Sequence, residues 1–179
     1  MELTPLTPQI VKPQEIESSI SSNNKFIEAN TKQVSLSHLR QDCTIPVFAK
    51  DNETTIPHFE FIDAVKQVTQ QLYPEEQMTV PNIRTSHIIK GRIPSAIGKP
   101  AKELLEHEKT IYYERMAFII EIPGQFTMVN NQKLNLTVGG VRSYSEQNLF
   151  AKKSIEKFKI FIGYKNMVCC NLCISTDGL

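Results

Sequence analysis

Residues 110–138, TIYYERMAFIIEIPGQFTMVNNQKLNLTV, decide the fold class of this chain. Their first half is rich in aromatic and β-branched residues, which favour strands. After the Asn-Asn pair at 130–131, Leu134, Leu136 and Val138 alternate with polar residues. Two strand-like runs around a short Asn-rich turn are typical of a β-hairpin with one buried face. The stretch therefore predicts antiparallel strands.

Glycine and proline mark the expected ends of these strands. Pro123-Gly124 is predicted to interrupt the first strand, and Gly139-Gly140 is predicted to end the second. A short helix is then expected within 144–158. Residues 157–175, KFKIFIGYKNMVCCNLCIS, predict a second hairpin that turns at about 164–166.

One clear amphipathic helix precedes this region. Pro57 suits its first position, and the helix is expected to end before Pro74. The apolar residues that recur at helical spacing, and that predict its buried face, are Phe61, Ile62, Val65, Val68 and Leu72. A short edge strand is expected at 43–49 and a short helix at 101–108. A helix followed by antiparallel strands indicates an α+β fold with short additional helices.

Two stretches lack any regular apolar period. Residues 1–36 are polar with scattered prolines, which predicts a flexible or partner-ordered arm before a single α+β domain at 37–179. Residues 74–100 contain four prolines and two glycines, which predicts a long, irregular and basic connection. Connections of that length in a compact domain are usually functional or mobile.

Composition restricts the class of protein. The hydrophobic share of 40% and the charged share of 22% are those of a soluble globular domain. The net charge of +1 gives no global sign of nucleic-acid binding, so any basic interface must be local. No apolar run predicts a membrane span, and the N-terminus does not resemble a signal peptide. We therefore expect a cytoplasmic protein that does not bind membranes.

Three of the four cysteines fall within KNMVCCNLCIS, residues 165–175, where Cys170 and Cys173 form a C-x-x-C. If this stretch is a strand, the two thiols point to opposite faces, roughly 10 Å apart along it. That geometry favours cysteines packed in a core. A metal knuckle and a redox pair remain the alternatives.

Motifs for catalysis are missing from the sequence. The histidines, His38, His58, His87 and His107, fall in no known catalytic spacing, and neither a phosphate-binding loop nor a nucleophile elbow occurs. We therefore expect neither enzymatic activity nor a cofactor, and we predict no metal ligands.

Basic residues are the strongest remaining functional signal. They concentrate in 84–102 and 142–165, where Tyr144, Phe150 and Tyr164 are interleaved as stacking on single strands requires. The residues predicted to bind nucleic acid or an acidic partner are Arg84, Lys90, Arg92, Lys99, Arg142, Lys152, Lys153, Lys157, Lys159 and Lys165. An ordinary solvated surface is the alternative interpretation.

Four blocks of the chain resemble an uncharacterised protein family that is carried by bacterial prophages and conjugative elements. The blocks are HLRQDCTIPVFAKDNETTIPHFEFI (38–62), GRIPSAIGKPAKELLEHEKTIYYERMAFIIEIP (91–123), LTVGGVRSYSEQNLFAKK (136–153) and EKFKIFIGYKNMVCCNLCISTDG (156–178). A more distant resemblance is to phage- and plasmid-like proteins with a segment similar to NMVCCN. The resemblance implies a shortened member of the family from a mobile element, and it carries over no catalytic residue.

The resemblance and the basic segments together give three functional hypotheses. The first is a non-enzymatic antagonist of host defence, an anti-CRISPR-type protein that binds an RNA-guided effector or its guide RNA. The second is an accessory protein that binds single-stranded DNA or RNA during replication, recombination or transfer of the element. The third and weakest is a zinc-dependent enzyme built around the cysteines. The sequence leaves the oligomeric state open.

Overall fold

The computed structural model describes residues 26–27, 30–47, 56–144 and 157–165. Within these ranges, six strands form one antiparallel sheet that packs against two α-helices, so the predicted α+β class is confirmed. The elements in chain order are β1 Lys32–Val34, α1 Leu36–Asp42, β2 Ile45–Pro46, α2 His58–Leu72, β3 Asn82–Arg92, β4 Lys109–Val129, β5 Gln132–Ser143 and β6 Lys159–Lys165.

The three long strands β3, β4 and β5 form the centre of the sheet. The strand order is β1-β3-β4-β5-β6, and every pairing is antiparallel. β1 pairs with β3 at residues 83–85, whereas the short β2 pairs with the other end of β3 at 91–92. Pro46 lies in β2, in agreement with the predicted edge strand.

The predicted hairpin is confirmed as β4 and β5. Asn130 and Asn131 form its turn with φ angles of 49° and 62°. Two consecutive positive φ angles are what a two-residue turn needs to match the twist of its strands, and asparagine tolerates them well. Pro123-Gly124 does not end β4. The pair lies at a register shift between Ile122 and Phe126, where the strand continues past an irregularity.

Gly139 and Gly140 do not end β5, which corrects the expectation from the sequence. The strand continues to Ser143, and both glycines lie in its interior. A Cβ on Gly139 would lie 2.4 Å from the carbonyl oxygen of Phe118. The pair is therefore required by close packing, and it does not mark a turn.

The prediction of an irregular connection at 74–100 is also wrong, because the central part of this segment is the 11-residue strand β3. The four prolines flank this strand and do not interrupt it. Of the two glycines in this segment, only Gly91 lies within β3, where a Cβ would be 2.5 Å from the Oγ1 of Thr110 on β4. Polar residues on both faces of β3 hide the alternation that would have indicated a strand.

Helix α2 begins at His58, so Pro57 is its N-cap and not its first helical residue as predicted; the helix ends before Pro74, in agreement with the prediction. Its buried residues are His58, Phe61, Ile62, Val65 and Thr69. Val68 and Leu72 are 53% and 66% exposed, so their assignment to the buried face was wrong. The packed stripe runs through His58 and Thr69, which are polar and were not counted in the apolar pattern.

The two faces of the sheet carry separate apolar clusters. The helix face, which packs against α1 and α2, contains Phe118, Ile120, Ile122 and Val138. On the other face, here called the open face, Phe26 packs on Ala117 and Ile119. Ordered structure therefore begins before residue 37, the expected domain boundary, because Phe26 is buried and β1 joins the sheet at 32–34.

Some sequence predictions fall outside the described ranges. These are most of the stretch 144–158 in which a short helix was predicted, the last strand with Cys169, Cys170 and Cys173, Lys152 and Lys153, and most of the N-terminal arm. The helix predicted at 101–108 is replaced by turns and a single 3-10 turn at Glu106–Glu108. In the described part of the chain, no helix has the length and apolar character that crossing a membrane requires.

Candidate anion-binding pocket

The antiparallel register places two of the predicted basic residues in one row across the open face. Arg84 on β3 pairs with Ala117 on β4, which pairs with Val141 on β5, which pairs with Lys159 on β6. Residues directly opposite one another share a face of the sheet. Neighbouring strands are about 4.8 Å apart, so the backbone positions of Arg84 and Lys159 lie roughly 14 Å apart, with Ala117 and Val141 as a short apolar floor between them.

A second row on the same face contributes another cation. Ser86 pairs with Arg115, and Arg115 pairs with Ser143. The side chain of Arg115 is 60% exposed, and its Nε lies 3.9 Å from the Oε1 of Glu114, a long contact for an ion pair. The Arg115 guanidinium is therefore held weakly and is accessible to an anion.

Arg84, Ala117 and Val141 of the first row and Ser86 and Arg115 of the second line a pocket of about 490 Å³, whereas Lys159 lies outside this lining. Its apolar lining comes from Ile27, Met116, Ala117 and Val141, and its polar lining from Asn30, Thr31 and Ser86, together with Arg84, Arg115 and His87. Among these lining residues none is acidic. The pocket thus combines an apolar floor with a rim that favours negative charge.

Arg84 fixes the wall of this pocket. Its Nε donates a hydrogen bond to the Oγ1 of Thr31 at 2.9 Å, and its Nη2 donates to the carbonyl oxygen of Thr31 at 2.7 Å. Burial lowers the pKa of Arg84 from its ordinary value, but a guanidinium stays charged at neutral pH. The residue therefore ties the segment before β1 to β3 and contributes positive charge to the pocket.

His87 lies at the rim in a strained backbone conformation. Its φ angle is 57°, which a residue other than glycine rarely adopts, and the register between β3 and β4 skips this position. The Oγ of Ser86 lies 3.0 Å from the Nδ1 of His87. Strain of this kind concentrates at ligand sites because packing must maintain it.

Three of the predicted basic residues are buried, which corrects their assignment to an exposed interface. Arg84, Arg92 and Arg142 are 7%, 3% and 1% exposed. Arg92 donates to the carbonyl oxygens of Ala96 and Lys99. Arg142 donates to the carbonyl oxygen of Ile56, and its guanidinium lies 4.8 Å from the ring centroid of Phe158. Arg92 therefore holds the loop after β3, and Arg142 packs within the core. Of the three arginines, only Arg84 also lines the pocket.

The predicted lysines have several different surroundings. Lys99 pairs with the buried Glu108, and Lys165 pairs with Glu121 at 2.7 Å. Lys90 and Lys157 are exposed, and Lys159 is half-buried at the end of the Arg84 row. Sequence reasoning missed Arg115 and His87. The only signal for Arg115 is its pairing with Ser86, which is known once the register is known.

A second cluster, beside α1, resembles a nucleophile–base–acid arrangement. The Sγ of Cys43 lies 3.7 Å from the Nε2 of His38, whose Nδ1 is 2.8 Å from the Oδ2 of Asp42. The hydroxyl of Tyr113 lies 3.1 Å from the same Nε2. Burial, followed by the charge of Asp42, raises the pKa of the Cys43 thiol to about 12. The thiol is therefore protonated at neutral pH and unsuited to nucleophilic attack.

The described residues contain no group of three or more His, Cys, Asp or Glu side chains placed to hold a metal ion.

A family model described as "Domain of unknown function, B. Theta Gene description (DUF3871)" matches residues 7–179. The chain belongs to the DUF3871 family. This confirms the predicted membership of an uncharacterised family, while the mobile-element setting stays a prediction. The DUF3871 match also begins well before residue 37. No curated protein and no solved structure matches this DUF3871 chain.

Proposed function

We propose that this protein is a non-enzymatic binding protein of the bacterial cytoplasm that acts on a nucleic-acid-containing host machine. The most specific form of this proposal is an anti-CRISPR-type inhibitor that binds an RNA-guided effector or its guide RNA. The open face of the sheet is the surface that makes the contact. Phosphate groups of the RNA would be bound by its cations, because such contacts supply most of the affinity of nucleic-acid-binding proteins.

The observation that carries this proposal is the distribution of charge around the pocket. Arg84, Arg115 and His87 line a pocket of about 490 Å³ without an acidic residue among the lining, and Lys159 extends the same row. The rest of the described surface has mixed charge: Arg40 pairs with Asp63, for example. A local basic site on a chain of net charge +1 agrees with binding to one defined anionic feature.

The buried cysteine cluster supports a binding role over catalysis. Cys43 is fully buried, and its thiol is protonated at neutral pH because its pKa is raised. The host-defence setting is supported by the sequence resemblance to families of prophages and conjugative elements. A protein from such an element that acts by occupying its target needs no catalytic group.

A second candidate is an accessory protein that binds free single-stranded DNA or RNA for the element. The same open face favours it, because a sheet face with cations and an apolar floor is suited to unpaired bases. The two candidates differ in their targets. The accessory protein binds free strands tightly without any protein partner, whereas the inhibitor requires the assembled effector.

The test compares the wild type with the double variant Arg115→Gln/Lys159→Gln. The matched control, Lys66→Gln/Lys102→Gln, removes two exposed cations outside the open face. Binding to effector–RNA complexes and to free single-stranded RNA is measured across a salt series. We expect the double variant to reduce the slope of log K against log salt for single-stranded RNA by about 1.4, because each lost phosphate contact contributes about 0.7, and the control to leave it unchanged. Equal slopes for all three proteins would overturn the proposed interface.

A further inference from the structure

We propose that the pocket on the open face binds a single unpaired nucleotide, with the phosphate at Arg115 and the base on the apolar floor. This inference rests on the proposed function, because it specifies which part of a nucleic acid enters the site. The nucleotide is recognised as a unit of base and phosphate. A duplex is excluded from the pocket itself by size.

The volume of the pocket agrees with a ligand of this size. At about 490 Å³ it falls within the roughly 300–1,000 Å³ that is common for small-molecule sites. A flat protein–protein contact would not need such a depression. An unpaired nucleotide can be turned out of its strand and inserted into it, as in other proteins that recognise single-stranded RNA.

The pocket has an apolar part that suits the base of a nucleotide and a cationic part that suits its phosphate. Ala117, Val141 and Ile27 offer an apolar surface for one face of a base. Arg115, whose side chain is 60% exposed at the rim, offers the paired N–H groups that bind a phosphate in bidentate geometry. The amide of Asn30, which provides both donor and acceptor groups, lines the same space and suits the edge of a base.

The pocket is preformed, because buried contacts fix its walls. Phe26, 1% exposed, packs on Ala117 and Ile119, and Thr31 is bound by the buried Arg84. The wall residues Ile27 and Thr31 are thus held in place by the buried neighbours Phe26 and Arg84. The strained His87 is held beside it at the rim. A preformed site loses little conformational entropy on binding, which suits recognition of a small ligand.

The experiment titrates the full chain with nucleoside monophosphates, nucleosides and inorganic phosphate, and follows backbone amide shifts by NMR. We expect each monophosphate to bind at least about 10-fold more tightly than its nucleoside, which lacks the charge-assisted hydrogen bonds to Arg115, and than phosphate alone, which lacks the apolar contact of the base. The shifts should concentrate at Arg84, Ser86, Arg115 and Ala117. Equal affinity for phosphate and monophosphates would overturn the inference and indicate an adventitious ion only.

Two variants with different effects make the test specific. Arg115→Gln should weaken binding of monophosphates about 10-fold or more and leave nucleoside binding within about 2-fold. Ser86→Phe fills the pocket and should abolish both. The control Lys66→Gln, an exposed cation on α2, should change neither. If Ser86→Phe fails to fold, Arg115→Gln still decides, because its side chain is exposed and contributes little to stability.

The outcomes also separate this inference from the proposed function. Salt-dependent binding of long single-stranded RNA or of an effector complex, without binding of monophosphates at millimolar concentration, overturns the nucleotide pocket and leaves the proposed function in place. Binding of monophosphates with the expected variant pattern, without binding of any effector or long strand, supports the pocket and overturns the proposed function.

Discussion

Gly140 on β5 lies directly against the ring of Phe61 on α2. A Cβ at Gly140 would be 2.6 Å from the Cζ of Phe61 and 2.8 Å from the Cε1 of Phe118. Both distances are far shorter than van der Waals contact between carbon atoms. The helix can approach the sheet this closely only because position 140 has no side chain.

Replacing Gly140 with alanine should therefore overpack the core between α2 and the sheet. We expect Gly140→Ala to lower the free energy of unfolding by about 1–3 kcal/mol, measured by urea denaturation. Gly163→Ala is the matched control on β6, because a Cβ there meets no atom within 4 Å. It should be neutral or stabilising by up to about 1 kcal/mol. Equal losses in the two variants would contradict this account of Gly140.

Phe26 attaches the pocket wall to the open face. Removing its ring in Phe26→Ala should cost about 3–5 kcal/mol, or less if the segment detaches without global unfolding. Amide hydrogen exchange should then accelerate in β1 and remain slow in α2. Val80→Ala, at a side chain that is 84% exposed, should change stability by less than about 0.5 kcal/mol. Unchanged exchange in β1 would show that Phe26 does not hold this segment.

The sequence predicted those elements whose local chemistry agrees with their tertiary surroundings. A two-residue hairpin turn requires positive φ angles, which asparagine tolerates, and the turn between β4 and β5 lies at Asn130 and Asn131. Pro57 and Pro74 flank α2, where backbone chemistry alone fixes both ends. The antiparallel sheet followed from these signals, since short turns connect neighbouring antiparallel strands.

The sequence failed where tertiary contacts decide the role of a residue. Gly139-Gly140 has the composition of a turn, but the rings of Phe61, Phe118 and Phe161 exclude a side chain there. Burial of a basic residue cannot be recognised from its neighbours in the chain. Arg142 is 1% exposed, although it lies in one of the most basic segments. The pocket depends on strand register, which no local pattern in β3 revealed.

Lys165 and Glu121 form a largely buried ion pair, with side chains 10% and 17% exposed and an N–O distance of 2.7 Å. Asn135 donates a further hydrogen bond to Glu121. We expect Glu121→Gln to cost about 3 kcal/mol, because it leaves the ammonium buried without its counter-charge. Asp63→Asn is the control, since the Arg40–Asp63 pair has the same 2.7 Å distance but exposed side chains. It should cost less than about 1 kcal/mol in the same denaturation experiment.

His58 should make stability depend on pH. It is completely buried, and burial, followed by the charge of Arg142, lowers its pKa from 6.5 to about 3. Its Nε2 lies 2.7 Å from the carbonyl oxygen of Tyr113, to which the neutral ring donates. The unfolded chain therefore binds a proton below pH 6.5 that the folded chain rejects until about pH 3, and stability falls as pH decreases through this window.

The measurement compares the wild type with His58→Gln, which cannot titrate but can still donate to Tyr113. Between pH 6.5 and 5, above the range in which most carboxylates titrate, the wild type should lose up to about 1.4 kcal/mol of stability per pH unit. The slope of His58→Gln should be smaller by about that amount. A variant with the slope of the wild type would exclude His58 as its source.

The rate at which the Cys43 thiol is alkylated tests whether the triad-like cluster beside α1 is chemically reactive. A nucleophilic cysteine would react rapidly with iodoacetamide near pH 7.5. Since the pKa of Cys43 is raised to about 12 and its side chain is fully buried, we expect labelling only as fast as the chain opens. Mass spectrometry of the peptide that contains Cys43 measures this rate separately from those of the other cysteines.

Urea at the unfolding midpoint should accelerate labelling of Cys43 by several orders of magnitude, and His38→Gln should not slow it in the native state. Rapid native labelling that depends on His38 would mean that the pair is an activated nucleophile and its base, and it would contradict the non-enzymatic assignment.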